Sequence, residues 1–207
     1  EDILKSTIKN MDNTLKSLSS NNVFNDYIKS KKLDNENEAK QIFSHASMAL
    51  FLGAIPMGLA TVMNGFLKYG MTLYGDLALQ IAHGLWYLDV VLAVLIGIIV
   101  PFFMFSQQKH ELQTMTAMWL LPIVACEVAA TSGGLLLAHL PAGQETVGIL
   151  FASYVLWGMS VLPAFGILSI LMLRLALHQL PSKELAITGW LALGPIGTGA
   201  LALLVLG

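Results

Sequence analysis

The sequence predicts an all-α integral membrane helical bundle with five transmembrane helices, and three observations carry that prediction. The 207-residue chain is 56% hydrophobic and only 12% charged, with a mean hydropathy of +0.69. Its charge is gathered at one end: residues 1–40 hold seven of the 11 Lys and Arg and seven of the 13 Asp and Glu. From Ser47 onward, apolar runs of about 20 residues recur, each long enough to cross a bilayer core.

Residues 1–44 read as a polar extension rich in Asn, Ser and Lys. Ile3, Leu4, Ile8, Met11, Leu15 and Leu18 fall at helical spacing within it. Too few cations lie opposite that stripe for an interfacial helix, so a soluble, partly helical or unstructured segment is expected. Residues 45–207 read as a membrane domain. The first span is expected over about Ser47–Leu67, the second over Ile81–Phe105 and the third over Met115–His139. The fourth covers Thr146–Leu177, and the fifth starts near Leu185. Short connections make consecutive helices antiparallel neighbours. The extension, Lys109, Arg174 and Lys183 fall on one side, with Lys68 alone on the other. By the positive-inside rule the extension is cytoplasmic, and the first, third and fifth spans run parallel, outward. The chain opens on Glu1 and stops at Gly207 inside an apolar run, so it reads as part of a longer protein.

These three parallel spans share an interruption. They carry Ala54-Ile-Pro56-Met-Gly58-Leu-Ala60-Thr61, then Leu121-Pro122 followed by Thr131-Ser132-Gly133-Gly134, then Gly194-Pro195-Ile-Gly197-Thr198-Gly199. Proline removes a backbone donor, so kinks near mid-depth with freed carbonyls are expected. Lipid cannot satisfy those groups, which places the breaks against protein or a wet cavity and points to a solute pathway. The fourth span also holds a proline, Pro163, but only Ser160 and Ser169 accompany it. The discriminating feature is the small polar set after the break: Thr61 and Asn64, Thr131 and Ser132, and Thr198. The candidate pathway residues are therefore Pro56, Gly58, Thr61, Pro122, Glu127, Thr131, Ser132, Pro195, Gly197 and Thr198.

Glu127 is the one carboxylate well inside an apolar span, placed about two turns from the middle of its helix. It reads either as a pathway residue, binding a proton coupled to anion movement or tuning the pore field, or as a protonated or hydrogen-bonded structural acid partnered by Thr131 one turn away. Asp89 follows Trp86 and Tyr87 and reads as a solvated carboxylate at the membrane boundary. Arg174, His178 and Lys183 read as orientation signals, with an anion-gathering vestibule as the alternative. The histidines sit in loops or at span ends, without the facing pairs that haem or a metal would need, so no cofactor or metal is expected. Gly53, Gly58, Gly133 and Gly134 serve either close helix contact or pore access. Cys126 is the lone cysteine, which excludes an internal disulfide. No basic stripe invites nucleic acid.

Three stretches together resemble the tellurite-resistance/dicarboxylate transporter family, which includes fungal malate permeases, fungal sulfite efflux pumps and plant slow anion channels. They are Leu52-Gly-Ala-Ile-Pro-Met-Gly-Leu-Ala-Thr61, Trp119-Leu-Leu-Pro-Ile-Val-Ala125 through Gly134, and Trp190-Leu-Ala-Leu-Gly-Pro-Ile-Gly-Thr-Gly199. His178-Gln-Leu-Pro181 is similar to the family's loop as well. The resemblance implies ten helices in five hairpins around a pseudo-fivefold pore, with kinked odd helices lining it and a trimeric assembly. The five spans here would be the third to seventh. The polar extension stands where the family has its first hairpin, and the family's pore-blocking phenylalanine matches no position of this sequence. By implication the protein moves small anions, C4-dicarboxylates such as malate or sulfite and inorganic anions, with proton coupling open. It would sit in the cell membrane as a multi-pass homo-oligomer, and no enzymatic chemistry is implied. The rival readings are a non-transporting scaffold or sensor, and a membrane redox enzyme.

Overall fold

The computed structural model describes residues 46–178 and 186–207. The polar extension and Lys183 lie outside the described residues. Among those described, five helical stretches are long and apolar enough to cross a membrane: Met48–Tyr74, Asp76–Ser106, Ala117–Leu137, Gln144–Leu177 and Ile187–Leu206. They form the all-α membrane bundle that the sequence predicts.

The second and fourth spans are single unbroken helices, α4 (Asp76–Ser106) and α6 (Gln144–Leu177). The other three are assembled from pieces. The first runs as α1 (Ala46–Phe51), α2 (Ala54–Gly65), a π-helical turn (Phe66–Gly70) and α3 (Met71–Tyr74). Gly75 then reverses the chain at φ 55°, a conformation that glycine adopts without strain. The third span has a 3₁₀ lead-in (Ala117–Leu120) before α5 (Leu121–Leu137). The fifth repeats the device, with a 3₁₀ lead-in (Ile187–Ala192) before α7 (Leu193–Leu206).

Each of these three prolines stands in the first turn of the helix that follows the break. Pro56 is the third residue of α2, Pro122 the second of α5 and Pro195 the third of α7. A first-turn N–H has no partner within the helix, so proline loses nothing there. The expectation of freed carbonyls is corrected. Leu52 O, which lacks a donor at Pro56, accepts from Ile55 N at 3.1 Å. Met118 O accepts from Leu121 N–H, and Leu191 O from Leu193 N–H. Tighter turns absorb the missing donor. The expected depth is corrected too for the third span: Pro122 is the sixth residue of Ala117–Leu137, so that break lies near one end. Pro101 and Pro163, by contrast, sit inside α4 and α6 without interrupting them.

The α5 helix is the hub, packing against α2, α4, α6 and α7. It is buried along most of its length, while the other spans keep broad apolar faces exposed. Close approach depends on glycine. A Cβ on Gly53 would run into the Leu121 backbone, one on Gly133 into Ser153, and one on Gly134 into Val205. Both α1 and the Ile187–Ala192 lead-in pack on Ala117–Leu120. Met57, Trp119 and Leu191, one from each broken span, join the same apolar cluster there. Farther along, α2 and α7 flank α5 without a packed interface between them.

Candidate functional site

The polar side chains of α5 meet partners from three other helices. Glu127 is the middle residue of Ala117–Leu137 and is fully buried, closer to mid-depth than its expected place. An ionised acid at the centre of a bilayer costs about 3 kcal/mol even on lenient insertion scales, so its partners matter. Ser160 of α6 donates to Oε2 at 3.1 Å, and Thr198 of α7 lies 3.0 Å from Oε1. Thr198 Oγ1 also lies 2.7 Å from Gly194 O, one turn back. The expected partner, Thr131, does not reach the carboxyl. Its hydroxyl instead reaches two backbone carbonyls, Glu127 O at 3.0 Å and Thr198 O at 3.3 Å.

A second contact lies between the first and third spans, where Asn64 Nδ2 donates to Ser132 Oγ at 3.0 Å. Thr61 is exposed, and its hydroxyl donates to its own helix at Met57 O, 2.9 Å away. Gly58 and Gly197 are exposed as well, and a Cβ on either would meet open space. Glycine therefore divides into two sets: Gly53, Gly133, Gly134 and Gly199 permit contact, whereas Gly58 and Gly197 keep a face open. Thus Glu127, Thr131 and Thr198 come together, Ser132 pairs separately with Asn64, and the buried Pro56, Pro122 and Pro195 mark the three breaks.

Sequence reasoning set Ser160 aside with the fourth span, quoted Gly199 only as part of a break, and passed over Trp157. Trp157 Nε1 donates to Gly199 O at 3.1 Å, beside the Glu127 carboxyl. A Cβ on Gly199 would lie 2.6 Å from Glu127 Oε1, so the bare backbone makes room for the acid. A signal was present: Ser153, Leu156, Ser160 and Ala164 recur at helical spacing, and all four are buried.

Two readings are corrected. Asp89 is not a boundary carboxylate, because it is 0% exposed and neither oxygen has a hydrogen-bond partner. The α4 helix begins at Asp76, several residues before the expected start, which moves Asp89 to mid-helix. Arg174 is not an open vestibule cation. It is 5% exposed, and Nε and Nη2 both donate to Gln113 O, at 3.3 and 2.9 Å. That contact ties the end of α6 to the loop before the third span. His110, in the same loop, packs edge-on to Trp119 at 5.0 Å and bonds Gln108 at 2.9 Å, and burial lowers its pKa from the ordinary 6.5. Among the described residues no three His, Cys, Asp or Glu side chains gather as a metal site.

Comparison with known proteins adds a lineage to this geometry. A family model described as SLAC1, voltage-dependent anion channel, matches residues 33–207. The sulfite efflux pump SSU1 of Arthroderma otae is 38% identical over 168 residues, covering 81% of this chain and 45% of that protein. The sulfite efflux pump SSU1 of Candida albicans is 30% identical over 166 residues, covering 78% of this chain and 33% of that protein. An uncharacterised transporter of Methanocaldococcus jannaschii is 31% identical over 119 residues, covering 58% of this chain and 34% of that protein. The chain thus spans less than half the length of these curated relatives. No solved structure matches it.

Proposed function

The chain belongs to the SLAC1 voltage-dependent anion channel family, and from that premise we propose that the protein carrying it passes small anions across a membrane. Sulfite is the first substrate to test, because relatives at 38% and 30% identity are sulfite efflux pumps. Malate, nitrate and chloride are the rivals. The observation that carries the reading is the meeting of the three broken spans at Met57, Trp119 and Leu191.

Beyond that meeting the pathway runs between α2 and α7, over the α5 hub. Gly58, Thr61 and Gly197 line it, and their small side chains leave room for a hydrated or partly dehydrated anion. Pro56, Pro122 and Pro195 set the angle at which each lining helix enters. Glu127, Thr131, Ser132 and Thr198 form the layer behind the wall and hold the lining helices at fixed spacing. Helices outside this chain complete the enclosure, and the assembly is a homo-oligomer, a trimer by family resemblance. The protein sits in the cell membrane with its N-terminal extension cytoplasmic, and it carries out no covalent chemistry.

The full-length protein in liposomes, loaded in turn with sulfite, malate, nitrate and chloride, tests the proposal. Flux of at least one anion above protein-free vesicles is expected, with sulfite fastest. Vesicles that stay tight to all four overturn it.

A further inference from the structure

We infer that Glu127 works as a neutral carboxylic acid, a proton-bearing clasp that joins the third, fourth and fifth spans and fixes the break of the fifth. Thr198 has one hydroxyl hydrogen and two acceptors in reach, Gly194 O at 2.7 Å and Glu127 Oε1 at 3.0 Å. The shorter contact takes it. Thr198 Oγ1 and Glu127 Oε1 then face each other as two lone pairs unless the carboxyl carries a hydrogen. With that hydrogen on Oε1, every bond has one donor. Ser160 Oγ–H donates to Oε2, Oε1–H donates to Thr198 Oγ1, and Thr198 Oγ1–H donates to Gly194 O. The relay ends on Gly194, the residue before Pro195 in the first turn of α7, just after the break of the fifth span.

Beyond the Ser160 hydroxyl, which donates to either form, the surroundings offer the ionised form no balancing charge. The α2 and α7 helices carry no titratable side chain. The α4 helix turns Asp89 inward, another acid, and keeps His83 near its start, beside Glu145 of α6. The remaining titratable groups of α6 are Tyr154, which donates to Leu206 O at 3.2 Å, and Arg174. Arg174 lies about 21 Å along the helix from Ser160, at ~1.5 Å per residue. Cys126 is the neighbour on α5 itself. Among the described residues no cation faces the carboxyl, whose side-chain partners are two hydroxyls. Trp157, donating to Gly199 O beside it, braces the same point of α7.

Glu127 is on this account a positioning residue, and its effect on flux rests on the anion reading above, whereas its protonation does not. Glutamine reproduces the clasp, accepting from Ser160 through its oxygen and donating to Thr198 through its amide. Infrared difference spectra of the full-length protein in liposomes, wild type against Glu127→Gln, provide the test. At neutral pH the wild type should show a protonated-carboxyl C=O stretch that the variant lacks. Glu127→Gln should keep the wild-type unfolding temperature and flux, while Glu127→Ala and Glu127→Asp lose both. A difference spectrum with carboxylate bands alone overturns the clasp, and so does a glutamine variant as impaired as alanine. A wild type without anion flux overturns the functional reading instead, and the spectra still decide the clasp.

Discussion

Gly199 and Gly197 stand two residues apart on α7 and make opposite predictions. An added methyl at Gly199 would press on Glu127 Oε1, so Gly199→Ala should cost about 1–3 kcal/mol of stability, the usual cost of overpacking. Gly197→Ala and Gly58→Ala meet open space inside a helix, so they should hold or slightly raise the unfolding temperature while narrowing the proposed pathway and lowering flux. Asp89 makes a third case. Neither of its oxygens has a hydrogen-bond partner, so Asp89→Asn removes no bond and should not lower the unfolding temperature. Thr198→Val, which leaves Glu127 Oε1 unpaired, should lower it. His110 supplies a pH dependence. Its folded pKa lies below the unfolded value, so the unfolded chain binds the proton more readily. Stability should therefore fall as pH drops through about 6.5 toward the folded pKa, and His110→Gln should remove that component in unfolding scans at stepped pH. At this scale the sequence was partly legible. An acid in an apolar run stands out, which is why Glu127 was singled out. Thr198 was singled out only for its place after a break, and Ser160 was set aside. Their pairing with Glu127 did not show, because serine and threonine are ordinary in helices and lie 71 and 33 residues away in the chain.

Among the elements, the prolines separate two kinds of helix. Pro122 follows a 3₁₀ turn in which Leu121 N–H already serves Met118 O, so Pro122→Ala gains no bond there. Pro163 lies within continuous α6, where Pro163→Ala would return a donor to the Met159 carbonyl. Pro163→Ala should raise stability by about 1 kcal/mol or more, and Pro122→Ala should not, a contrast that denaturant unfolding in detergent can measure. The five spans were readable from hydropathy because length and apolarity alone define them. The three breaks were readable as proline among small residues. Their placement was not, since whether a proline opens a helix or sits inside one depends on which carbonyl the previous turn reaches. Pro101 shows the point: it passes through α4 without a break, and nothing in its neighbours announces the difference.

For the molecule as a whole, the hub position of α5 decides the reading. The first and fifth spans both lean on it, meet at their lead-ins and leave small, open positions on α2 and α7 farther along. Hydropathy could not rank the spans by burial, because every one of them is apolar. The near-complete burial of α5 follows from Ala125, Ala129, Gly133 and Gly134, which let neighbours approach on several sides. The claim that water reaches the face between α2 and α7 is tested most directly by cysteine accessibility in the full-length protein with Cys126 replaced by alanine. Gly58→Cys, Thr61→Cys and Gly197→Cys should react rapidly with a charged, membrane-impermeant thiol reagent. Leu162→Cys, on the outer face of α6 and 75% exposed in this chain, should stay unreactive in lipid. If the three react no faster than Leu162→Cys, the face between the broken helices lies in oil and the pathway is not there.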